Sequence, residues 1–129
     1  MDTPVELRLV FAYTRRNGDP SEGIAFTSLT ATKTKDGMVS FTITYEAQQS
    51  FTVYAFNPYR DTDGIDFTSR PGTALPGKGS ISFKISESTL EKMRGITVNF
   101  YNDSGGTPGD NTNWLFITEE IIDRICGRT

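Results

Sequence analysis

Residues 38–46 read MVSFTITYE, and the reading of this stretch decides the fold. Val39, Phe41, Ile43 and Tyr45 occupy alternate positions, with Ser40, Thr42 and Thr44 between them. A period of two puts the four large side chains on one face of a β-strand, because successive strand residues point to opposite sides. KDG at 35–37 reads as the turn that opens it.

Working outward, the same pattern recurs. Residues 4–14, PVELRLVFAYT, place Val5, Leu7, Leu9, Phe11 and Tyr13 on one face, and a polar loop, RRNGDPSEG, follows. IAFTSLTAT at 24–32 is a weaker strand. FTVYAFN at 51–57 is another, ended by Asn57-Pro58. Its two faces are Phe51, Val53, Ala55 and Thr52, Tyr54, Phe56; one is core, and alternation does not say which. Residues 58–79 are rich in Gly, Pro and Asp, with a short strand expected at 65–68 (IDFT). SISFKI at 80–85 buries Ile81, Phe83 and Ile85. Ser88-Thr89-Leu90-Glu91 has a capping-box pattern for one helical turn, closed by Gly95. GITVNFY at 95–101 and NWLFIT at 113–118 are the last strands. In the tail, TEEIIDRICG, Ile121, Ile122 and Ile125 have helical spacing, with Thr118 as N-cap and Gly127 beyond the C-terminus; a final strand is the alternative. The expectation is all-β: a single antiparallel β-sandwich over residues 1–129, jelly-roll or Ig-like, with a short C-terminal helix.

Composition narrows the function. A chain of 129 residues is one domain's worth, able to bury about 65–70% of its unfolded surface. With 36% apolar and 22% charged residues it is neither a disordered nor a membrane-spanning chain. The net charge of −3 and the absence of any basic cluster beyond Arg15–Arg16 argue against nucleic acid, which needs concentrated positive charge. The single cysteine, Cys126, has no internal disulfide partner and reads as a small packed residue. There is no signal peptide or 18-residue apolar run, and the start MDTPVEL reads as a mature or trimmed boundary. Histidine is absent, which removes Ser-His-Asp and Cys-His nucleophile systems and the usual general base near neutral pH.

Two loops hold the residues with chemical potential. In FNPYRDTDGIDF, 56–67, Asp61, Asp63 and Asp66 lie close together, and Asp-x-Asp-Gly matches part of a calcium loop. Ile65 stands where a third alternate oxygen would fall, and Asp-Gly is also a favoured turn dipeptide, so the plain turn is preferred. In YNDSGGTPGDN, 101–111, Asp103, Thr107, Asp110 and Asn111 offer two carboxylates, an amide oxygen and a carbonyl or hydroxyl. Calcium takes about six to eight oxygens, so a neighbouring loop or a sugar's vicinal hydroxyls would supply the rest. The glycines at 105, 106 and 109 let the backbone curl its carbonyls inward. An ordinary solvated loop has the same composition.

The segment GITVNFYNDSGGTPGDNTNWLFI, 95–117, resembles the last hairpin of the bacterial LecA-type calcium-dependent galactose lectins. These have a strand ending in Tyr-Asn-Asp, a Gly-Thr-x-Gly-Asn-Asn loop and a final strand. The resemblance implies calcium bound by Asp103, the Thr107 carbonyl, Asp110 and Asn111, the last two also touching sugar. Asp110 stands in place of an asparagine, and the lectins' sugar-contacting histidine has no counterpart. The hairpin is also similar to that of calcium-dependent xylan-binding modules, through Asn102-Asp103 and Leu115-Phe116-Ile117 only. More faintly, DTPVELRLVFAYTRR (2–16) resembles the opening of the fungal immunomodulatory proteins, small Ig-like sandwiches.

A sugar site also needs rings for the pyranose face and polar groups for the hydroxyls. Tyr59, beside Arg60, is the best-placed exposed ring, and Trp114 borders the oxygen-rich loop, although a first core residue of the last strand is its ordinary role. The ligand-contacting set is therefore Tyr59, Arg60, Asp61, Asp63, Asn102 and Trp114. A strand at 65–68 would put loops 57–64 and 102–112 at opposite ends of the sandwich; irregular chain there would bring them together. The expected function is a non-catalytic, calcium-assisted carbohydrate-binding domain for a glycan or polysaccharide, extracellular or at a cell surface. The rival is a structural or interaction module of an adhesin, appendage or larger assembly. A homo-oligomer or a larger parent protein is compatible with both.

Overall fold

A computed structural model describes residues 4–7, 23–101 and 112–127. Among these residues, eight strands form two four-stranded antiparallel sheets. The first is ordered β1 (Pro4–Leu7), β2 (Ile24–Lys33), β3 (Met38–Ala47), β6 (Gly77–Ser86). The second is ordered β5 (Thr68–Ala74), β4 (Phe51–Phe56), β7 (Ile96–Tyr101), β8 (Thr112–Ile117). The described residues also form three short helices: α1 (Arg60–Asp63), α2 (Glu87–Leu90) and α3 (Glu119–Cys126). No helix among the described residues is long and apolar enough to cross a membrane.

The alternation of β3 is realised as expected: Val39, Phe41, Ile43 and Tyr45 are buried. They meet Phe51, Val53 and Ala55 of β4 and Val98 and Phe100 of β7 in one core. Phe26 and Phe100, from opposite sheets, lie 4.8 Å apart between ring centroids at 56°. Fully burying side chains of this size stabilises by roughly 1.5–3 kcal/mol each, so the core is the main support of the fold.

The tail is a helix. Ile121, Ile122 and Ile125 are buried, Glu119 and Glu120 favour its first turn, and Gly127 ends it in the left-handed conformation at φ 72°. Thr118 holds the N-cap position without a side-chain bond. Cys126 is part-buried and packed against the core.

Three local expectations are corrected. The cap of α2 is Ser86, whose hydroxyl accepts from the Thr89 amide at 3.2 Å, and Ser88 lies inside the turn. Gly95 does not close that helix, whose C-cap is Glu91. The strand expected at 65–68 begins at Thr68 and runs to Ala74, through Pro71 and Gly72. Among the described residues it is an edge strand paired only with β4, where a missing N–H costs no ladder bond on the open side. A register shift between Val53 and Ala55 absorbs the irregularity.

Candidate functional surface

The outer face of the second sheet is built in rows by its register. Tyr54 pairs with Asn99, and Asn99 with Trp114; Phe56 pairs with Thr97, and Thr97 with Phe116. Directly paired antiparallel residues share a face, so these six side chains point away from the core. The third row is Thr52 and Tyr101, the latter paired through its backbone with Thr112. Trp114 is thus not a core residue: Leu115 and Ile117 fill the core, and Trp114 is half-buried on the solvent side. The Tyr54 and Phe56 rings lie near-parallel, centroids 5.3 Å apart at 23°, and Trp114 and Phe116 are 6.1 Å apart at 49°. The Arg70 guanidinium sits 4.7 Å from the Tyr54 ring centre, an attractive cation–π geometry.

Thr97 faces outward yet is only 1% exposed. A side chain on the outer face of a sheet is buried so deeply only when its neighbours fold over it, and here the flanking side chains are Phe56 and Phe116. Beneath this cover the Thr97 hydroxyl and the Asn99 amide oxygen are buried without hydrogen-bond partners among the described residues.

At one end of this face the chain turns through residues 57–67. Asn57, 2% exposed, organises the turn. Its Nδ2 donates to both Asp63 carboxylate oxygens (3.0 and 3.1 Å) and to the Ile65 carbonyl (2.8 Å), and its Oδ1 accepts from the Tyr59 amide (2.9 Å). Asp63 also accepts from the Ile65 amide at 3.0 Å, so this carboxylate is occupied in holding the loop. Asp63-Gly64 ends α1, with Gly64 left-handed at φ 75°, and does not form a hairpin turn. Asp61 and Asp66 are exposed and flank Arg60, each 3.8 Å from its guanidinium. Exposed pairs of this kind contribute little.

Tyr59 is 43% exposed. One side of its ring rests on Gly95, where an added Cβ would lie 3.4 Å from Tyr59 Cε2 and 3.1 Å from the Ile117 carbonyl oxygen. A cleft of about 680 Å³ opens between Pro58, Tyr59, Arg94, Phe116 and Glu119. A second, of about 280 Å³, lies on the other side of Pro58 between Tyr54, Phe56, Arg60 and Asp66. Both open beside the aromatic rows.

The expected ligand set is divided by the register. Phe56, which leads into Tyr59, pairs with Thr97, whereas Tyr101 and Thr112, which bracket the oxygen-rich loop, lie in the row of Thr52. Four residues of strand, about 13 Å, separate those rows. Tyr59, Arg60, Asp61 and Asp63 are therefore at one end of the sheet and the base of loop 102–111 at the other, as the strand β5 requires. Asn102, Asp103, Thr107, Asp110 and Asn111 lie outside the described residues. Of the expected contacts, only Trp114 sits on the face near that loop, two residues from Thr112.

Sequence reasoning did not single out Phe56, Asn99 or Phe116, and left Tyr54 undecided. The available signal was an aromatic residue at outward alternation in two strands, 54 and 56 in β4 and 114 and 116 in β8. Comparison with protein-family models, curated proteins and solved structures finds no match to this chain.

Proposed function

We propose that this protein is a non-catalytic carbohydrate-binding domain, assisted by calcium held in the 102–111 loop and acting outside the cell or at its surface. The observation that carries the reading is the place of Trp114. It lies on the solvent side of β8, one row from the Tyr101–Thr112 pair that closes the oxygen-rich loop. A sugar whose hydroxyls complete the coordination of an ion at Asp103, Thr107, Asp110 and Asn111 would have an aromatic surface beside it. The ring partner is then Trp114, and Tyr59 is too distant. The pairing of Tyr101 with Thr112 supports the calcium reading, since it anchors both ends of the loop side by side. The described carboxylates near the face support a non-catalytic role: Asp63 is bonded within its loop, and Asp61 and Asp66 are exposed beside Arg60.

A glycan array probed in calcium and in EDTA tests the reading. Binding to a subset of glycans, weakened by EDTA and by Trp114→Ala, is expected. An array without signal in either condition overturns it and favours a structural or interaction module.

A further inference from the structure

We propose that the ligand is a neutral linear polysaccharide laid as an extended chain across the outer face of the second sheet; this rests on the carbohydrate reading above and specifies its substrate class. Aromatic rings stand in two columns, Tyr54 and Phe56 on β4, Trp114 and Phe116 on β8, with the polar column Thr97 and Asn99 of β7 between them. Adjacent strands are about 4.8 Å apart and alternate residues about 7 Å, so the columns are roughly 10 Å apart and the rings of each succeed one another along the strand.

A surface of rings bordered by the exposed Thr68 and Thr73 of the edge strand suits pyranose units, whose C–H faces stack on rings while their edges hydrogen-bond. A monosaccharide would cover one ring, whereas here the ring surface continues from Trp114 to Phe116 and into the cleft shared by Phe116, Pro58 and Tyr59. The exposed Tyr59, too distant for the calcium loop, becomes the far end of this track.

Charge and composition choose the occupant. Within the described rows and the edge strand beside them, the face carries one charged side chain, Arg70, whose guanidinium is held over the Tyr54 ring, and the cleft at its end adds Arg94 and Glu119, which are of opposite sign. A polyanion or a charged protein patch would thus find no matching field there. The remaining outward side chains of the four strands are Thr, Asn or aromatic, and among the described residues none is Leu, Ile, Val or Met. The aliphatic anchors and receiving pockets at the centre of a protein interface are missing from the rows themselves.

The test uses the full chain in native gels cast with soluble xylan, mixed-linkage β-glucan or galactomannan, followed by calorimetry with oligosaccharides of increasing length from the retarding polymer. Retardation by at least one polymer is expected, with Kd falling about tenfold or more from disaccharide to hexasaccharide, equivalent to about 1.4 kcal/mol. Trp114→Ala and Tyr54→Ala should each weaken hexasaccharide binding about tenfold, with an unchanged far-UV spectrum and cooperative melting showing that the fold is intact. Tyr59→Ala, on an exposed residue, should weaken the hexasaccharide and leave the disaccharide unaffected. Equal affinity for disaccharide and hexasaccharide overturns the polymer proposal while leaving a carbohydrate-binding domain. Length-dependent binding indifferent to all three substitutions overturns the placement on this face. Failure of every sugar, in gels and on the array, overturns both readings, and binding of a protein instead identifies the face as a protein interface.

Discussion

The side-chain amide of Asn57 grips both carboxylate oxygens of Asp63, at 3.0 and 3.1 Å, across six residues of sequence. The same amide group reaches the Ile65 carbonyl and receives the Tyr59 amide, so one buried side chain ties a whole loop to the end of β4. This tie sets where Pro58 and Tyr59 stand relative to Phe56 and Phe116, and hence the shape of both clefts.

Asn57→Ala removes these bonds and leaves the buried groups around it unpaired. Hydrogen bonds to charged groups contribute about 1.5–3 kcal/mol and an orphaned buried group costs about 1–3. A loss of about 2–4 kcal/mol in urea unfolding is expected. Asp63→Asn should cost less, because an amide oxygen still accepts from the Ile65 amide. Equal stability of Asn57→Ala and the parent would show that the loop is not held this way.

Gly95→Ala introduces a methyl group 3.1 Å from the Ile117 carbonyl oxygen and 3.4 Å from the Tyr59 ring. The backbone of β8 yields little, so a cost of about 1–2 kcal/mol follows from overpacking. Part of it should disappear in a Tyr59→Ala background, where the ring no longer opposes the methyl. Additive losses in the double-mutant cycle would mean that Tyr59 does not rest there.

Thr97→Val replaces a buried, unpartnered hydroxyl by a methyl group of similar size. An unpaired buried polar group costs about 1–3 kcal/mol, so a gain near 1 kcal/mol is expected, without change in the unfolding slope. Destabilisation would reveal a hydrogen bond that the substitution breaks.

Excess calcium should raise the melting temperature by several degrees, since ligand at 100 times its Kd adds about 2.7 kcal/mol to the folded state. Asp103→Ala and Asp110→Ala should each remove most of that shift. Asp61→Asn should not, because Asp61 stands at the opposite end of the sheet from Tyr101 and Thr112. Loss of the shift in Asp61→Asn alone would move the ion to the 57–67 loop.

The Asp36 carboxylate lies in the β2–β3 turn, and the Thr34 hydroxyl that donates to it holds its pKa below the ordinary 3.8. The lowered folded-state value favours the folded chain above the unfolded pKa, and this contribution is lost as pH falls through the folded one. In Thr34→Val the Asp36 titration, followed by NMR, should move upward toward 3.8. An unmoved midpoint would assign the depression to the backbone amides and Lys84.

Much of the fold follows from local pattern. The alternation of Val39, Phe41, Ile43 and Tyr45 defines a strand with one apolar face wherever that strand packs. Ile121, Ile122 and Ile125 between Thr118 and Gly127 favour a helix over the alternative strand, because the spacing and the glycine stop both lie within the segment itself. Residues 68–74 are different: Pro71 and Gly72 disfavour a strand in isolation, and only the open edge beside β4 makes one tolerable. Phe51-Thr-Val-Tyr-Ala-Phe56 is apolar on both faces, so its period does not choose a core side. Pairing with β7 does, burying Val53 beside Phe100 and leaving Tyr54 beside Asn99. Trp114 likewise changes from core candidate to surface ring through its register with Asn99. The chain by itself determined which residues alternate and which can cap. Which face meets solvent, and which end of the sheet each loop occupies, depended on pairing between strands distant in sequence, a property no single segment carries.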